Sequence, residues 1–224
     1  MKTCALIPAY NEAEQIASVV TGARNYVDAV VVIDDGSYDS TTEVAREAGA
    51  YCIVTPVNQG KASALRRGFD YARKLDFTHV VTLDGDGQHL PEDIPGLLEK
   101  ALETDADLVV GTRPFVRHEM PTSRYYSNTI GSRWASALVG QAIHDSQSGF
   151  RVLRLDSLKK LNLRSTRYEF EMEVLIKMGR AGMRIAHAPI HRIYDNGQAR
   201  SKMNPVRDTI HICLWSLAFR FLGA

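Results

Sequence analysis

Residues 79–89 read HVVTLDGDGQH, an apolar run that passes directly into an acidic turn containing two glycines. The apolar run is continuous rather than alternating, as expected of a strand that helices cover on both faces of a sheet. A second continuous run, 29–33, also ends at carboxylates, Asp34 and Asp35. Because buried strands of this kind are central in parallel sheets, the two runs predict the α/β class.

Short β-rich runs alternate with segments of helical period along most of the chain. The predicted strands are 4–7, 29–33, 51–54, 79–83, 107–110, 150–153 and 183–187. The predicted helices are 12–25, 40–48, 61–74, 91–103, 123–139 and 169–178, followed by a proline-started amphipathic helix at 205–224. No linker or internal repeat interrupts this order, which predicts a mostly parallel sheet flanked by helices in a single domain, 1–204.

The composition is typical of a soluble globular protein. The chain has 224 residues, 45% of them apolar and 24% charged, enough for a large core without disulfide or metal staples. Its 27 Lys and Arg against 26 Asp and Glu leave a net charge of +1, which argues against a nucleic-acid partner. Cys4, Cys52 and Cys213 lie far apart without metal-ligand spacing, which indicates reduced core residues.

No export signal or membrane-spanning segment is expected. The N-terminal apolar stretch meets Pro8 too early for a signal peptide, and the most apolar stretch, 210–222, is interrupted by His211, Ser216 and Arg220. We therefore expect a cytoplasmic protein. The helix at 205–224 suits packing on its own domain or on a second copy in a homo-oligomer, or peripheral contact with the inner face of a membrane.

Polar clusters follow three predicted strands, at 8–12, 34–37 and 84–89. Because ligands of open α/β sheets bind at the carboxyl ends of the strands, we expect the clusters to share one rim. Asp84 and Asp86 are spaced to reach one hard cation, with Gln88 as a further oxygen ligand, although a solvated acidic turn has the same letters. A calcium EF-hand is excluded because the twelfth position from Asp84 is Pro95.

A glycine–lysine pair, Gly60 and Lys61, opens the predicted helix 61–74. It is not a Walker motif, because Thr55 and Ala62 stand where glycine and a hydroxyl residue are required. A helix start with a lysine suits an anion or a neighbouring carboxylate, or is simply an exposed helix end. No G-x-G-x-x-G follows the first strand, so the dinucleotide fingerprint of dehydrogenases is missing.

Six motifs occur in order: PAYNE at 8–12, DDGS at 34–37, GK at 60–61, DGDGQH at 84–89, GTR at 111–113 and SGFR at 148–151. Together they resemble inverting family-2 glycosyltransferases of the GT-A (Rossmann-like) fold, in the branch of the dolichyl- or polyprenyl-phosphate sugar synthases. The resemblance implies a nucleotide-sugar-binding half, 1–111, and an acceptor-side half, 112–204. It implies sugar transfer from a GDP- or UDP-sugar to a polyprenyl phosphate at the cytoplasmic membrane face.

The resemblance also implies roles for single residues. The base and ribose pocket would comprise Pro8, Tyr10, Glu12, Asp35 and the backbone of Ile33. Asp84 and Gly85 would lie against the ribose and diphosphate, and Lys61 would belong to the same donor site. Asp86 and Gln88 would hold Mg²⁺ or Mn²⁺ between the two phosphates, where the ion stabilises the leaving nucleotide.

The acceptor decides whether a base is needed. A phosphate monoester, with a second pKa of about 6, is already a nucleophilic dianion near neutral pH and needs cations instead. The resemblance points to basic residues for the donor and acceptor phosphates: Arg113, Arg124 with Arg133 as competitor, Arg200 and Lys202. The spacing around Arg192 departs from the family pattern, which leaves its role open.

The sequence leaves two alternative functions open. Transfer to a saccharide hydroxyl in cell-surface polysaccharide synthesis would need a base, for which Asp145 or Glu171 is the candidate. Either carboxylate would equally serve as a helix cap or support another side chain. A non-catalytic nucleotide-sugar sensor would keep the pocket but has no use for cations at an acceptor site.

Overall fold

The structure is a computed structural model and describes residues 1–114, 122–165, 169–191 and 216, without the side chains of residues 123 and 124. Its strands are β1 (Thr3–Ala9), β2 (Ala29–Asp34), β3 (Tyr51–Val54), β4 (His79–Thr82), β5 (Leu108–Thr112), β6 (Arg151–Arg154) and β7 (Ile185–Pro189). Its α-helices are α1 (Ile16–Ala23), α2 (Thr41–Glu47), α3 (Lys61–Lys74), α4 (Ile94–Thr104), α5 (Thr122–Val139), α6 (Leu155–Lys159) and α7 (Phe170–Arg180).

The strands form one sheet in the order β3-β2-β1-β4-β6-β5-β7. All neighbouring pairs are parallel except the two that involve β6, which runs antiparallel to both β4 and β5. The prediction of a mostly parallel α/β sheet is therefore confirmed. Because β6 runs backwards, the residues that precede it lie at the carboxyl ends of β4 and β5, on the same rim as the predicted polar clusters.

Helices cover both faces of the sheet. Alternate residues of β1 point to opposite sides, so that Cys4 and Leu6 join the cluster with α3, α5 and α7, whereas Ala5 and Ile7 join the cluster with α1, α2 and α4. All four side chains are fully buried. This two-sided burial is the physical reason for the continuous apolar runs of the central strands.

Several boundaries differ from the prediction. Helix α3 has the predicted limits, whereas α1 begins at Ile16 instead of 12, because residues 10–15 form a turn closed by the Gln15 N–H to Glu12 carbonyl bond, 3.0 Å. The predicted helix 91–103 starts as a 3₁₀ turn, Pro91–Asp93, before α4. Helix α6 was not expected from the sequence. Apart from Ser216, the predicted helix 205–224 lies outside the described residues and stays a prediction.

Within the described part of the chain, every helix is too short or too polar to span a bilayer.

Candidate active site

The loops after β1 and β2 are fastened to each other at the rim. The N–H of Asn11 donates to Ser37 Oγ and the N–H of Glu12 to Thr41 Oγ1, each at 2.9 Å. Asn11 accepts in return, through Oδ1, from the N–H of Tyr38 at 3.0 Å. Its backbone is left-handed, with φ at 56°, a conformation in which asparagine is enriched. The first loop, which carries two of the predicted pocket residues, Tyr10 and Glu12, therefore follows a fixed path.

The residues predicted for the base and ribose pocket differ in how far they are buried. Pro8, Tyr10 and Glu12 are half-buried at the end of β1, where a ligand can still reach them. Ile33 is fully buried, so that only its backbone could contact a ligand, as the sequence analysis expected. The assignment of these residues to a nucleotide stays a prediction.

Asp35 fastens the turn that begins α3. Its side chain is almost fully buried and accepts hydrogen bonds from the N–H groups of Gln59, at 3.0 Å, and Gly60, at 2.6 Å. Gly60 has φ at 91°, in the region that favours glycine, and it directly precedes Lys61. Asp35 thus supports the position of Lys61, in addition to any contact with a donor.

Lys61 contacts two carboxylates that are far apart in the sequence. Its Nζ lies 2.6 Å from Asp84 Oδ1, in the turn after β4, and 3.0 Å from Glu171 Oε1, in the first turn of α7. The three side chains are 27%, 31% and 11% exposed, so water screens the charges only partly. The lysine predicted for the donor site is therefore neutralised by two carboxylates, one after β4 and one from α7.

The ion pair shifts both pKa values in the direction that preserves it. Burial alone would raise the pKa of Asp84, but the Lys61 ammonium and its hydrogen bond outweigh this and lower the pKa to about 2. Burial alone would lower the pKa of Lys61, but Asp84 and Glu171 outweigh it and hold the pKa above its usual range. Both groups are consequently charged at neutral pH.

Gly149 leaves the space in which Lys61 sits. A Cβ at this position would lie 2.7 Å from Lys61 Nζ and 3.4 Å from Asp84 Oδ2, and the first distance is shorter than Cβ atoms show in real structures. The carbonyl of Gly149 accepts from Thr82 Oγ1 at 2.8 Å, which ties it to β4. A side chain at the glycine of the SGFR motif would therefore have to displace the Lys61 ammonium from its present position.

Arg151, the last residue of the SGFR motif, holds the backbone on two sides of the cluster formed by Lys61, Asp84 and Glu171. It is 3% exposed, and its guanidinium donates to the carbonyls of Ser148 at 2.7 Å, Glu171 at 2.9 Å and Ser146 at 3.0 Å. No role was predicted for Arg151 from the sequence. A charged residue inside a buried strand was the available signal, because a buried charge needs partners.

The turn after β4 is held by His89. Its Nδ1 accepts the N–H of Asp84 at 3.0 Å, and its ring packs on Phe150 at 5.1 Å between centroids. Burial lowers the pKa of His89, which favours the neutral ring that this acceptor role requires. His89 therefore fixes the backbone of the acidic turn at Asp84.

Asp86 and Gln88, the predicted metal ligands, are adjacent in that turn. Asp86 accepts from the N–H of Gln88 at 3.0 Å and from its Nε2 at 2.8 Å. Among the described residues, no three His, Cys, Asp or Glu side chains converge as a metal cage. Two oxygen donors completed by phosphates and water are what Mg²⁺ usually takes, so the donor set fits, provided that the Gln88 amide turns to present Oε1.

Arg113 and Asp145 form a bidentate pair at the end of β5. The distances are 2.7 Å from Nε to Oδ2 and 3.0 Å from Nη2 to Oδ1, and the Asp145 side chain is only 1% exposed. Both carboxylate oxygens are used, and neither reaches the surface. The role of Asp145 as a base stays a prediction; in the structure its carboxylate holds Arg113, whose Nη1 takes no part in the pair.

Some of the remaining predicted residues are placed by the structure, and others are not among the described residues. Glu171 faces the Lys61 ammonium, and Arg133 is exposed on α5. Gly85 is buried beside β1, with its virtual Cβ 3.5 Å from the Pro8 carbonyl. The described residues do not include the side chain of Arg124, nor Arg192, Arg200 and Lys202. The roles of these four residues stay predictions.

Two named relatives align with most of the chain. An undecaprenyl-phosphate mannosyltransferase of Micrococcus luteus is 30% identical over 238 residues, covering 100% of this chain and 97% of that protein. A UDP-N-acetylglucosamine–dolichyl-phosphate N-acetylglucosaminyltransferase of Methanococcus voltae is 32% identical over 212 residues, covering 84% of each.

Solved structures share the fold. Glucosyl-3-phosphoglycerate synthase from Mycobacterium tuberculosis, in complex with Mn²⁺, UDP-glucose and phosphoglyceric acid, superposes with a TM-score of 0.75. It is 22% identical, and the match covers 98% of this chain and 79% of that one. At that identity the likeness supports the architecture alone.

The sequence pattern that defines glycosyl transferase family 2 matches residues 4–162, which include β1 to β6 and the rim loops between them. The resemblance drawn from six short motifs is therefore confirmed over a long continuous match. The chain belongs to glycosyl transferase family 2, in the branch of the polyprenyl-phosphate sugar synthases, and it is a glycosyltransferase with the GT-A fold.

Proposed function

We propose that this enzyme transfers a sugar from a GDP- or UDP-sugar to a polyprenyl phosphate, with inversion at the anomeric carbon and without a protein base. The names of the two relatives support a lipid phosphate acceptor. The observation that carries the proposal is that both base candidates are occupied: Asp145 by Arg113 and Glu171 by Lys61. A phosphate dianion is the acceptor class that does not need them.

In the proposed reaction, a phosphate oxygen of the acceptor attacks the anomeric carbon on the face opposite the diphosphate. The new carbon–oxygen bond forms as the bond to the diphosphate breaks, and the electron pair leaves with the nucleoside diphosphate. No proton has to be moved, because the attacking oxygen is already ionised. Inversion follows from the attack on the opposite face.

The described residues divide this work between the two halves. Asp84, held by Lys61, is proposed to bind the donor at its ribose and diphosphate, next to Gly85. Arg113, oriented by Asp145, is proposed to bind a phosphate oxygen through Nη1, with a geometry that suits guanidinium. Further positive charge at the acceptor is proposed to come from three basic side chains that are not among the described ones: Arg124, Arg200 and Lys202.

Asp86 and Gln88 are proposed to hold a divalent ion, Mg²⁺ or Mn²⁺. When bound, the ion supplies positive charge against the diphosphate as the nucleotide leaves. The presence of Mn²⁺ and UDP-glucose in the neighbouring synthase structure supports this choice of cation class.

The test is a transfer assay with a panel of UDP- and GDP-sugars, Mn²⁺ or Mg²⁺, and either undecaprenyl phosphate or an oligosaccharide acceptor. We expect release of nucleoside diphosphate that depends on the lipid phosphate, and a glycolipid product with inverted anomeric configuration by NMR. Transfer to the oligosaccharide but not to the lipid would refute the acceptor. Donor binding without any turnover would favour a sensor.

We further propose that the enzyme acts at the cytoplasmic face of a membrane, as a peripheral protein. A polyprenyl phosphate keeps its chain in the bilayer, so the rim has to approach the surface to reach the phosphate. Sedimentation with liposomes containing undecaprenyl phosphate tests this, and the absence of cosedimentation would count against it.

A further inference from the structure

Tyr38 is an exposed aromatic side chain at the rim of the proposed donor pocket. It lies in the loop between β2 and α2 and is 84% exposed, more than any other large apolar side chain in the described part of the structure. A single exposed tyrosine is ordinary on a protein surface. Tyr38 differs from an ordinary surface tyrosine in its hydrogen-bonded backbone and in its contact with a second aromatic ring.

The backbone around Tyr38 is held by hydrogen bonds on both sides. Its own N–H donates to Asn11 Oδ1 at 3.0 Å, and the N–H of the preceding Ser37 donates to Asp34 Oδ1 at 2.8 Å. On the other side, Asp39 accepts from the N–H of Thr41 at 3.0 Å. The loop therefore presents the ring from a fixed point, and little backbone entropy is lost when a ligand binds there.

The ring of Tyr38 contacts the ring of Tyr10. Their centroids are 6.2 Å apart and their planes meet at 87°, the edge-to-face arrangement that aromatic pairs prefer. The two rings form a corner with walls at right angles, one from the loop after β1 and one from the loop after β2. A planar heterocycle in this corner has a ring face to stack on and a second ring at its edge.

From this corner we infer that Tyr38 is a second aromatic contact for the nucleobase of the donor, beside Tyr10. The inference rests on the proposed function, because it requires that the donor be a nucleoside diphosphate sugar. It assigns to Tyr38 affinity for the base, and no contact with the diphosphate or the metal. Its chemistry is stacking, which any base can provide, together with the polar tip of the phenol.

The experiment measures binding by calorimetry in the presence of Mn²⁺, with UDP, GDP, ADP, CDP and dTDP as nucleotides and inorganic pyrophosphate as a probe without a base. The variants are Tyr38→Ala and Tyr38→Phe. Tyr51→Ala is the matched control, since Tyr51 is also exposed, at 61%, but lies at the amino end of β3, away from the rim.

We expect Tyr38→Ala to weaken the nucleotide that the wild type binds by roughly tenfold, in line with the stacking of one base on one ring. Pyrophosphate affinity should change less than about twofold, because the probe makes no stacking contact. Tyr38→Phe should keep most of the nucleotide affinity, and Tyr51→Ala should keep all of it.

An unchanged nucleotide affinity in Tyr38→Ala would overturn the inference while leaving the proposed function intact. An equal loss for pyrophosphate would overturn it as well, because the ring would then act through the phosphate site. If the wild type bound none of the five nucleotides, the donor class itself would be refuted, and the inference with it.

Discussion

Substituting Gly149 by alanine tests whether the Lys61 cluster is needed for catalysis. The added Cβ would lie 2.7 Å from Lys61 Nζ, whereas ordinary contacts begin at 3.4 Å, so the ammonium has to move by several tenths of an ångström. The ammonium now lies 2.6 Å from Asp84 and 3.0 Å from Glu171, and we expect this displacement to weaken at least one of the two contacts. Loss of one charge-assisted bond corresponds to ~1.5–3 kcal/mol, and we expect kcat to fall roughly 10- to 100-fold.

Stability should change much less than activity in this variant. Gly149 has no left-handed φ, so alanine introduces no backbone strain, and the end of a lysine side chain can move without opening the core. Gly131→Ala is the matched control, because its Cβ would meet Gln147 and Ser146 at an ordinary 3.5 Å within helix α5. We expect that control to keep wild-type kcat and to gain up to about 1 kcal/mol from helix propensity.

The assay is nucleoside diphosphate release at saturating donor and acceptor, with melting temperature measured on the same samples. Wild-type kcat in Gly149→Ala would refute the reasoning, because the cluster would then tolerate displacement of its lysine. A loss of activity matched by a large fall in melting temperature would instead mean that the glycine supports the fold.

Four further outcomes are expected. Asp86→Ala should abolish metal-dependent nucleotide binding in calorimetry with little change in melting temperature, because it removes a rim oxygen and no core volume; unchanged binding would refute the metal assignment. Asp145→Asn should destabilise the protein by ~1–3 kcal/mol in urea titration and slow transfer, because it leaves Arg113 without its bidentate partner; a faster enzyme would instead indicate a restraining role. Arg151→Lys should cost ~2–4 kcal/mol in the same titration, since one ammonium cannot serve three buried carbonyls, and a neutral outcome would show that water replaces the guanidinium. The difference in unfolding free energy between wild type and Asp84→Asn should be constant from about pH 5 to 9. Because folding lowers the pKa of Asp84 and raises that of Lys61, the difference should shrink as pH falls below about 4 or rises above about 10, and a maximum at acid pH would contradict this sign.

The sequence was most informative where a structural requirement is local. The continuous run 79–83 and the acidic turn after it correctly predicted a central strand ending at the rim, because burial on both faces leaves its mark on consecutive residues. Helix α3 was predicted with its true limits, since Gly60 precedes it and its apolar period is regular. The start of α1 was missed because the turn at 10–15 is stabilised by contacts to another loop.

The parts that sequence reasoning missed depend on partners that no residue pattern identifies. Lys61 contacts Glu171 at 3.0 Å although the two residues are far apart in the sequence, and no spacing along the chain indicates such a contact. The pairing of Asp145 with Arg113 was not predicted either, because the two residues are 32 positions apart in the chain. Arg151 bonds to backbone carbonyls, which every residue possesses, so no residue type could have marked them. The direction of β6 was also not predicted, since an apolar strand reads the same either way.

The reversed strand β6 also has a consequence for biosynthesis. Strands β1 to β4 pair among themselves and are complete once residue 82 has been made, whereas the outer edge of β4 has only β6 as its neighbour. During translation this apolar edge stays open until residues 151–154 emerge, and open edges invite pairing with other chains. A ribosome-stalled or truncated product ending near α4 should therefore be a chaperone client and more prone to aggregation than the chain that includes both β6 and β7.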